Sequence, residues 1–116
     1  RTPQSHLGEV MVRMGMTDEV TVARALAVQG GYEFLRLDPQ SIDPAATSMI
    51  TLRLAQQHCC IPVRAYETKL VVAMGNPLDL VAIEDVERAT NRTVDVLVSV
   101  PDDIRAAIER FYWEPE

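Results

Sequence analysis

The feature that most constrains the fold is a strand-type run, a capped helix and a second strand-type run in direct succession. Residues 69–74 read KLVVAM and residues 93–100 read TVDVLVSV, with alternating valines in the second run. Between them, Asn76 offers a helix cap, Pro77 a first helical turn and Asn91 a stop. Strands joined through a helix pair in parallel, and the connection is right-handed. The stretch therefore predicts two parallel neighbours in one small sheet.

The flanking segments extend this unit on both sides. Residues 61–67 read IPVRAYE and lie close before the first run, which predicts a β-hairpin even though no Asn-Gly turn is present. Residues 101–113 place apolar side chains at helical spacing and predict a last helix. The expected buried side chains of the sheet are Leu70, Val72, Val96 and Val98, and those of the last helix are Ile104, Ile108 and Phe111.

The first half of the chain is predicted to be helical. Ser5 caps a first helix that ends at Gly15, and Thr17 caps a second that ends at Gly30 and Gly31. The side chains of the second helix expected to face the core are Val22, Ala23 and Leu26.

A link and a further helix connect this pair to the strands. Residues 32–43 are punctuated by proline and aspartate and are interpreted as an extended link. Asp43 followed by Pro44 is typical of a helix start, and the helix is predicted to continue to His58. Thr51 offers a hydroxyl that can cap a second piece and so predicts a break at that point.

These patterns predict an α+β fold, in which an N-terminal helical pair and a linker helix pack against a small mixed sheet of β-β-α-β-α order. The 116 residues suit one domain, 1–116, with a helical part at about 5–58 and an α/β part at about 61–113. Because no Met begins the chain, we expect it to be a fragment of a larger protein.

Charge and cysteine usage exclude several classes of function. The net charge of −6 argues against binding a nucleic acid polymer or an anionic membrane surface. No stretch approaches the roughly 20 apolar residues that span a bilayer. Cys59 and Cys60 are adjacent, which does not fit a disulfide framework, and His58 beside them lacks metal-ligand spacing. We expect packed thiols and no metal site.

The chain also lacks the sequence signatures of an enzyme. It has no phosphate-binding Gly-x-x-x-x-Gly-Lys-Ser/Thr loop, no Gly-x-Gly-x-x-Gly and no Gly-x-Ser-x-Gly. His6 and His58 lie in different predicted elements without a spaced carboxylate or thiol partner. We therefore predict no catalytic residues in this chain, although a parent protein can still be an ATPase.

The carboxylates have simple structural interpretations. Glu84, Asp85 and Glu87 are expected to form the solvated face of a helix. Asp102 and Asp103 are expected to stabilise the first turn of the last helix, where the helix dipole favours negative charge.

A resemblance to a known family rests on four stretches that cover most of the chain: LGEVMVRMGMTDEVTVARALAVQ, IDP, IPVRAYETKLVVAMGNPLDLVAIEDV and IRAAIERFYW. Together they resemble the N-terminal domain of type II secretion and type IV pilus assembly ATPases, which is related to the cyclic di-GMP-binding MshEN family. The resemblance implies a cytoplasmic domain at the inner face of the bacterial inner membrane. Its implied partners are an inner-membrane secretion or pilus platform protein and the remainder of the parent ATPase, without direct membrane insertion.

The resemblance also implies a candidate ligand site at His6, Leu7, Gly8 and Gln29. Gly8 would let a flat base approach the helix backbone, Leu7 would give an apolar contact, and Gln29 would present its amide. His6 stands where the family has Arg, whose planar and permanently charged fork a mostly neutral histidine does not replace. The family's full module carries two such motifs, and this chain shows one. The structural alternative is that Gly8 merely permits close helix packing and Gln29 is an ordinary last-turn residue.

Three functions follow from these observations. The first is a regulatory or docking domain that couples a secretion or pilus motor ATPase to an inner-membrane partner, without a cofactor. The second is a cyclic di-GMP sensor module, on a motor ATPase or a glycosyltransferase, with cyclic di-GMP as its regulatory ligand. The third is an unrelated α+β interaction domain or a small enzyme whose site is completed across chains.

Overall fold

The computed structural model describes residues 18–112 of the chain. Within this range, four strands form one mixed sheet and five α-helices surround it. The strands are β1 (Glu33–Phe34), β2 (Cys60–Ala65), β3 (Lys69–Met74) and β4 (Thr93–Val98). The helices are α1 (Glu19–Gly30), α2 (Pro44–Thr47), α3 (Leu52–His58), α4 (Leu80–Thr90) and α5 (Pro101–Phe111), with a 3-10 turn at Pro39–Ser41. The helix predicted from Ser5 to Gly15 lies outside the described residues.

The sheet has the order β1-β4-β3-β2 and contains the predicted strand–helix–strand unit. β3 and β4 pair in parallel, with Leu70 opposite Val94 and Val72 opposite Val96. β2 and β3 form the predicted antiparallel hairpin. The α+β class and the β-β-α-β-α order of the second half are confirmed.

β1 is a strand that the sequence did not indicate. The link was expected to be only extended, yet its residues Glu33–Phe34 pair in parallel with β4. The Leu35 amide donates to the Val98 carbonyl at 3.0 Å, and the Ser99 hydroxyl donates to the Leu35 carbonyl at 2.6 Å. A strand of two residues has too short an alternation to be recognised from sequence, and its pairing to β4 is what makes it a strand.

The core lies between the sheet and the helices. Leu70, Val72 and Val98 are fully buried as predicted, whereas Val96 is only half-buried. The reason is the length of β1, which pairs with Leu97 and Val98 and leaves the earlier part of β4 without a neighbour on that side. On α5, Ile104 and Ile108 are buried and Phe111 is half-buried against the same core.

The start of α4 differs from the prediction. Asn76 accepts a hydrogen bond from the Leu78 amide at 3.0 Å, which makes a turn before the helix rather than its cap. The cap is Asp79, whose carboxylate accepts from the Ala82 amide at 3.1 Å. Asn91 ends the helix in the left-handed conformation, with φ 56°, as predicted.

The remaining helix ends follow local side-chain chemistry. α1 is capped by Asp18 rather than by the predicted Thr17, which lies outside the described residues. Gly31 ends α1 with φ 74°, a conformation that glycine adopts without strain. The predicted break near Thr51 is real, because its hydroxyl accepts from the Leu54 amide and begins α3 as a separate helix.

Candidate functional site

The candidate ligand stretch, residues 6–29, is only partly described. His6, Leu7 and Gly8 lie outside the described residues. Gln29 lies in the last turn of α1 and is exposed. The described part of the stretch is Asp18 and α1 as far as Gln29.

α1 is fixed at both ends and along one face. At its start, the Asp18 carboxylate accepts from the Thr21 amide at 2.9 Å, and this hydrogen bond lowers the pKa of the Asp18 carboxyl. Along its inner face, Ala23 and Ala27 are buried against a small cluster that includes Val98. Small side chains at these positions let the helix lie close to β4. Of the residues predicted to face the core, Ala23 is buried, and Val22 and Leu26 are half-buried.

The outer face of α1 is exposed and sparsely charged. Its one described basic side chain, Arg24, places its guanidinium 5.1 Å from the centre of the Phe34 ring. This cation–π contact holds the guanidinium over β1. The exposed residues of this face are Thr21, Arg24, Ala25, Val28 and Gln29. Such a face offers an amide, a guanidinium and small apolar side chains, a set of groups that can contact a planar polar ligand or another helix.

Charged side chains join the N-terminal end of α5 to its surroundings. Arg36, which follows β1, donates to both oxygens of Asp103 at 2.7 and 3.2 Å. Arg105 donates to Asp102 one turn earlier on α5, and this bond lowers the pKa of the Asp102 carboxyl. Burial and the neighbouring Asp102 raise the pKa of Glu19, at the start of α1. Asp102 and Asp103 occupy the first turn as predicted, and their carboxylates also bind arginines.

One hydrogen-bonded pair brings together two residues that are far apart in the sequence. His58, at the end of α3, lies 2.9 Å from the Asp85 carboxylate of α4, and its side chain is 7% exposed. Glu87 accepts from the Val94 amide at 2.9 Å. The prediction that Glu84, Asp85 and Glu87 form a solvated face is therefore wrong for two of the three, and only Glu84 is exposed. The partner of His58 is thus a carboxylate 27 residues further along the chain, which the local sequence did not indicate.

The two thiols are packed against the helices. Cys60 is buried and Cys59 half-buried, and neither forms a disulfide. Burial raises the pKa of Cys59 and raises that of Cys60 to about 12, so both remain protonated and weakly nucleophilic at neutral pH. Cys59 lines an open groove of about 430 Å³ between α3 and α5, together with Gln56, Arg105, Ile108 and Glu109. Among residues 18–112, no group of three or more His, Cys, Asp or Glu side chains is placed to hold a metal ion.

The match to a family model decides the assignment. The model described as the MshEN domain matches residues 30–116, which include the whole sheet and α2 to α5. The chain belongs to the MshEN domain family. The matched region begins directly after Gln29, so the candidate ligand stretch lies before it.

Two curated relatives align with nearly all of this MshEN domain. The type IV pilus assembly ATPase PilB of Myxococcus xanthus is 27% identical over 110 residues, which are 95% of this chain and 19% of that protein. The type IV pilus assembly ATPase PilB of Thermus thermophilus is 29% identical over 115 residues, which are 95% of this chain and 13% of that protein. The chain therefore spans less than a fifth of the length of either relative.

Solved structures share the fold of this MshEN domain. The structure of MshE with cdg superposes with a TM-score of 0.80 at 19% identity and covers 91% of this chain and 77% of that one. The N-terminal domain of XpsE superposes with a TM-score of 0.71 at 24% identity and covers 89% of this chain and 72% of that one. Among the described helices of this MshEN domain, none is both long and apolar enough to cross a membrane.

Proposed function

We propose that this MshEN domain is the regulatory and docking domain of a type II secretion or type IV pilus assembly motor ATPase. The observation that carries the proposal is the alignment of 95% of the chain with a small part of each PilB relative. An alignment that uses nearly the whole chain but less than a fifth of the relative fits a module of a larger motor. In this role the domain lies in the cytoplasm and links the motor to an inner-membrane platform protein.

The described polar groups favour docking over chemistry. Several described polar side chains are engaged in structural contacts, such as His58 with Asp85 and Arg36 with Asp103. Both thiols are held protonated by burial, which raises the pKa of each. A domain with this chemistry acts through its surface, and the net charge of −6 favours a basic face on the partner.

The test is recovery of the partner from native membranes. The full-length parent ATPase is used as bait in a membrane extract, and a version that lacks residues 1–116 serves as the control. We expect the inner-membrane platform protein to co-purify with the full-length bait at low salt and to be lost as salt rises. Equal recovery with both baits would argue against docking through this domain.

A second candidate function is a cyclic di-GMP sensor. Two observations favour it: the candidate residues Leu7, Gly8 and Gln29, and the shared fold with MshE solved with cdg. Two weigh against it: His6 stands in place of Arg, and the family match begins after the candidate stretch. In this second proposal, cyclic di-GMP is a regulatory ligand. The test is calorimetry with this dinucleotide on the chain and on its His6 and Gly8 variants.

A further inference from the structure

A compact apolar patch lies at the start of α4. Of the six large apolar side chains that are exposed among residues 18–112, three fall within four positions of the chain. Leu78 is 42% exposed, Leu80 67% and Val81 62%. We call these three residues the Leu78–Val81 patch.

The geometry of the helix start explains why the patch points outward. The Asn76 turn and the Asp79 cap fix the first turn of α4. Ala82 and Val86 then face the core, so that Leu80 and Val81 lie on the opposite side of the helix. None of the three belongs to the hydrophobic clusters of the described residues, and three together differ from the singly scattered apolar residues of an ordinary surface.

Acidic groups border the patch. Asp79 lies within it, and Glu84 is exposed one turn further along α4. The first basic side chain on the helix, Arg88, lies two turns away from Leu80 and is paired with Asp85 at 3.6 Å. A complementary surface would be apolar at its centre and basic at its edge. An anionic lipid surface does not fit such a border.

The size of the patch favours a tethered occupant. A stable interface between separate proteins buries about 800 Å² on each partner, which is far more than three side chains supply. A surface in the same polypeptide is present at an effective concentration of about millimolar, and a small contact then suffices. The chain aligns with 19% of one PilB relative and 13% of the other, so most of each relative lies outside the aligned region and offers surface for such a contact.

We propose that the Leu78–Val81 patch docks, within one polypeptide, onto an apolar surface with a basic border on the motor portion of the parent ATPase. This inference rests on the proposed function, because it requires the chain to be a domain of such a motor. It adds that the domain has a docked state against its own motor, held by Leu80 and Val81.

Site-specific photo-cross-linking in the full-length parent tests the proposal. A benzophenone amino acid replaces Val81 in one sample and Tyr66 in the control. Tyr66 is a suitable control position because it is also exposed but lies on the hairpin, at the other end of β3. We expect cross-links from position 81 to the motor portion, in a yield independent of protein concentration. Cross-links only to a second copy, only to the platform protein, or equally from position 66 would overturn the proposal, as would the absence of cross-links.

A double variant distinguishes docking from proximity. With the photo-probe at Leu78, the substitutions Leu80→Ser and Val81→Ser should lower the intramolecular yield roughly fivefold to tenfold, because two aliphatic contacts are lost. Tyr66→Ser should leave the yield unchanged. Since all these side chains are exposed, each variant should still fold, with the circular dichroism spectrum of the unsubstituted protein. An unchanged yield in the double variant overturns the proposal.

Recovery of the platform protein separates this inference from the proposed function. If the double variant still recovers the platform protein while cross-linking is unaffected, the patch inference fails and the proposed function stands. If the full-length parent recovers no platform protein, the proposed docking function fails whatever the cross-links show.

Discussion

His58 Nε2 lies 2.9 Å from Asp85 Oδ2 and joins the last turn of α3 to the middle of α4. The other Asp85 oxygen lies 3.6 Å from Arg88, so the carboxylate has two partners. His58 is also the basic residue in the last turn of α3, near the negative end of that helix dipole. This pair is a polar contact that links the two helices across 27 residues of sequence.

Removing the carboxylate should destabilise the domain. Asp85→Ala leaves the His58 ring with an unsatisfied nitrogen at a site where little water can replace the lost partner. We expect the free energy of unfolding to fall by about 1–3 kcal/mol, measured by urea denaturation at pH 7. Glu84→Ala, on the exposed face of the same helix, is the matched control. Its free energy of unfolding should stay within about 0.5 kcal/mol of that of the unsubstituted chain. Equal losses in the two variants would mean that the His58–Asp85 contact does not stabilise the fold.

The sheet offers a graded test of burial. Val72→Asp places a carboxylate where the side chain is fully buried. We expect this variant to lose cooperative unfolding, because an unpaired buried charge costs several kcal/mol and the total stability of a domain is about 5–15 kcal/mol. Val96→Asp, opposite it on β4, should destabilise less, because that side chain is half-buried. The exposed Thr93→Asp is the control. Thermal unfolding followed by circular dichroism should show the smallest loss of stability for Thr93→Asp, a larger one for Val96→Asp and the largest for Val72→Asp.

Much of the fold could be predicted because strong local patterns agree with it. The alternating valines of β4 and the helix between it and β3 specify a parallel pair. Asp43 with Pro44, Thr51 and Asn91 mark helix ends through their own side chains or backbone preferences. At these helix ends the deciding interaction lies within a few residues.

The errors occur where a distant partner decides the structure. His58 and Asp85 are 27 residues apart, and Arg36 and Asp103 are 67 apart, so no local spacing indicates either pair. β1 is a strand only because β4 lies beside it. Asn76 and Asp79 are both suitable caps; Asn76 accepts from the Leu78 amide in a turn, and Asp79 accepts from the Ala82 amide and is the cap. The candidate ligand residues came from family resemblance alone, and of these only Gln29 falls in the described part of the chain.

Stability should fall at alkaline pH because of the buried thiol. In the unfolded chain a thiol ionises near pH 8.5, whereas burial raises the pKa of Cys60 to about 12 in the folded chain. Above about pH 9 the unfolded state loses a proton that the folded state keeps, so the free energy of unfolding decreases as pH rises. The slope from this one group is at most about 1.4 kcal/mol per pH unit.

Cysteine variants identify the group responsible for this slope. Urea midpoints are measured at pH 7.5, 9 and 10 with a reductant present. Cys60→Ala should be less stable at pH 7.5, because a cavity replaces the thiol. Its stability should depend less on pH, so that its difference from the unsubstituted chain narrows at pH 9 and 10. Tyr112→Phe is the control for the phenol, whose pKa burial also raises, and it should change the slope only above about pH 10. A slope identical in Cys60→Ala and the parent would exclude this thiol as the cause.

The candidate ligand stretch should bind cyclic di-GMP weakly or not at all. His6 replaces the arginine of the family motif, and loss of a charge-assisted bidentate contact costs about 1.5–3 kcal/mol, or roughly a tenfold to hundredfold loss of affinity. If the site exists, His6→Arg should tighten binding, and Gly8→Leu should abolish it by filling the space above the helix backbone. Calorimetry with cyclic di-GMP measures each effect on the unsubstituted chain, on both variants and on a version extended by about thirty residues upstream. The variant Gln29→Ala measures the contribution of the Gln29 amide. Micromolar or tighter binding by the parent would show that neither the arginine nor a second motif is required.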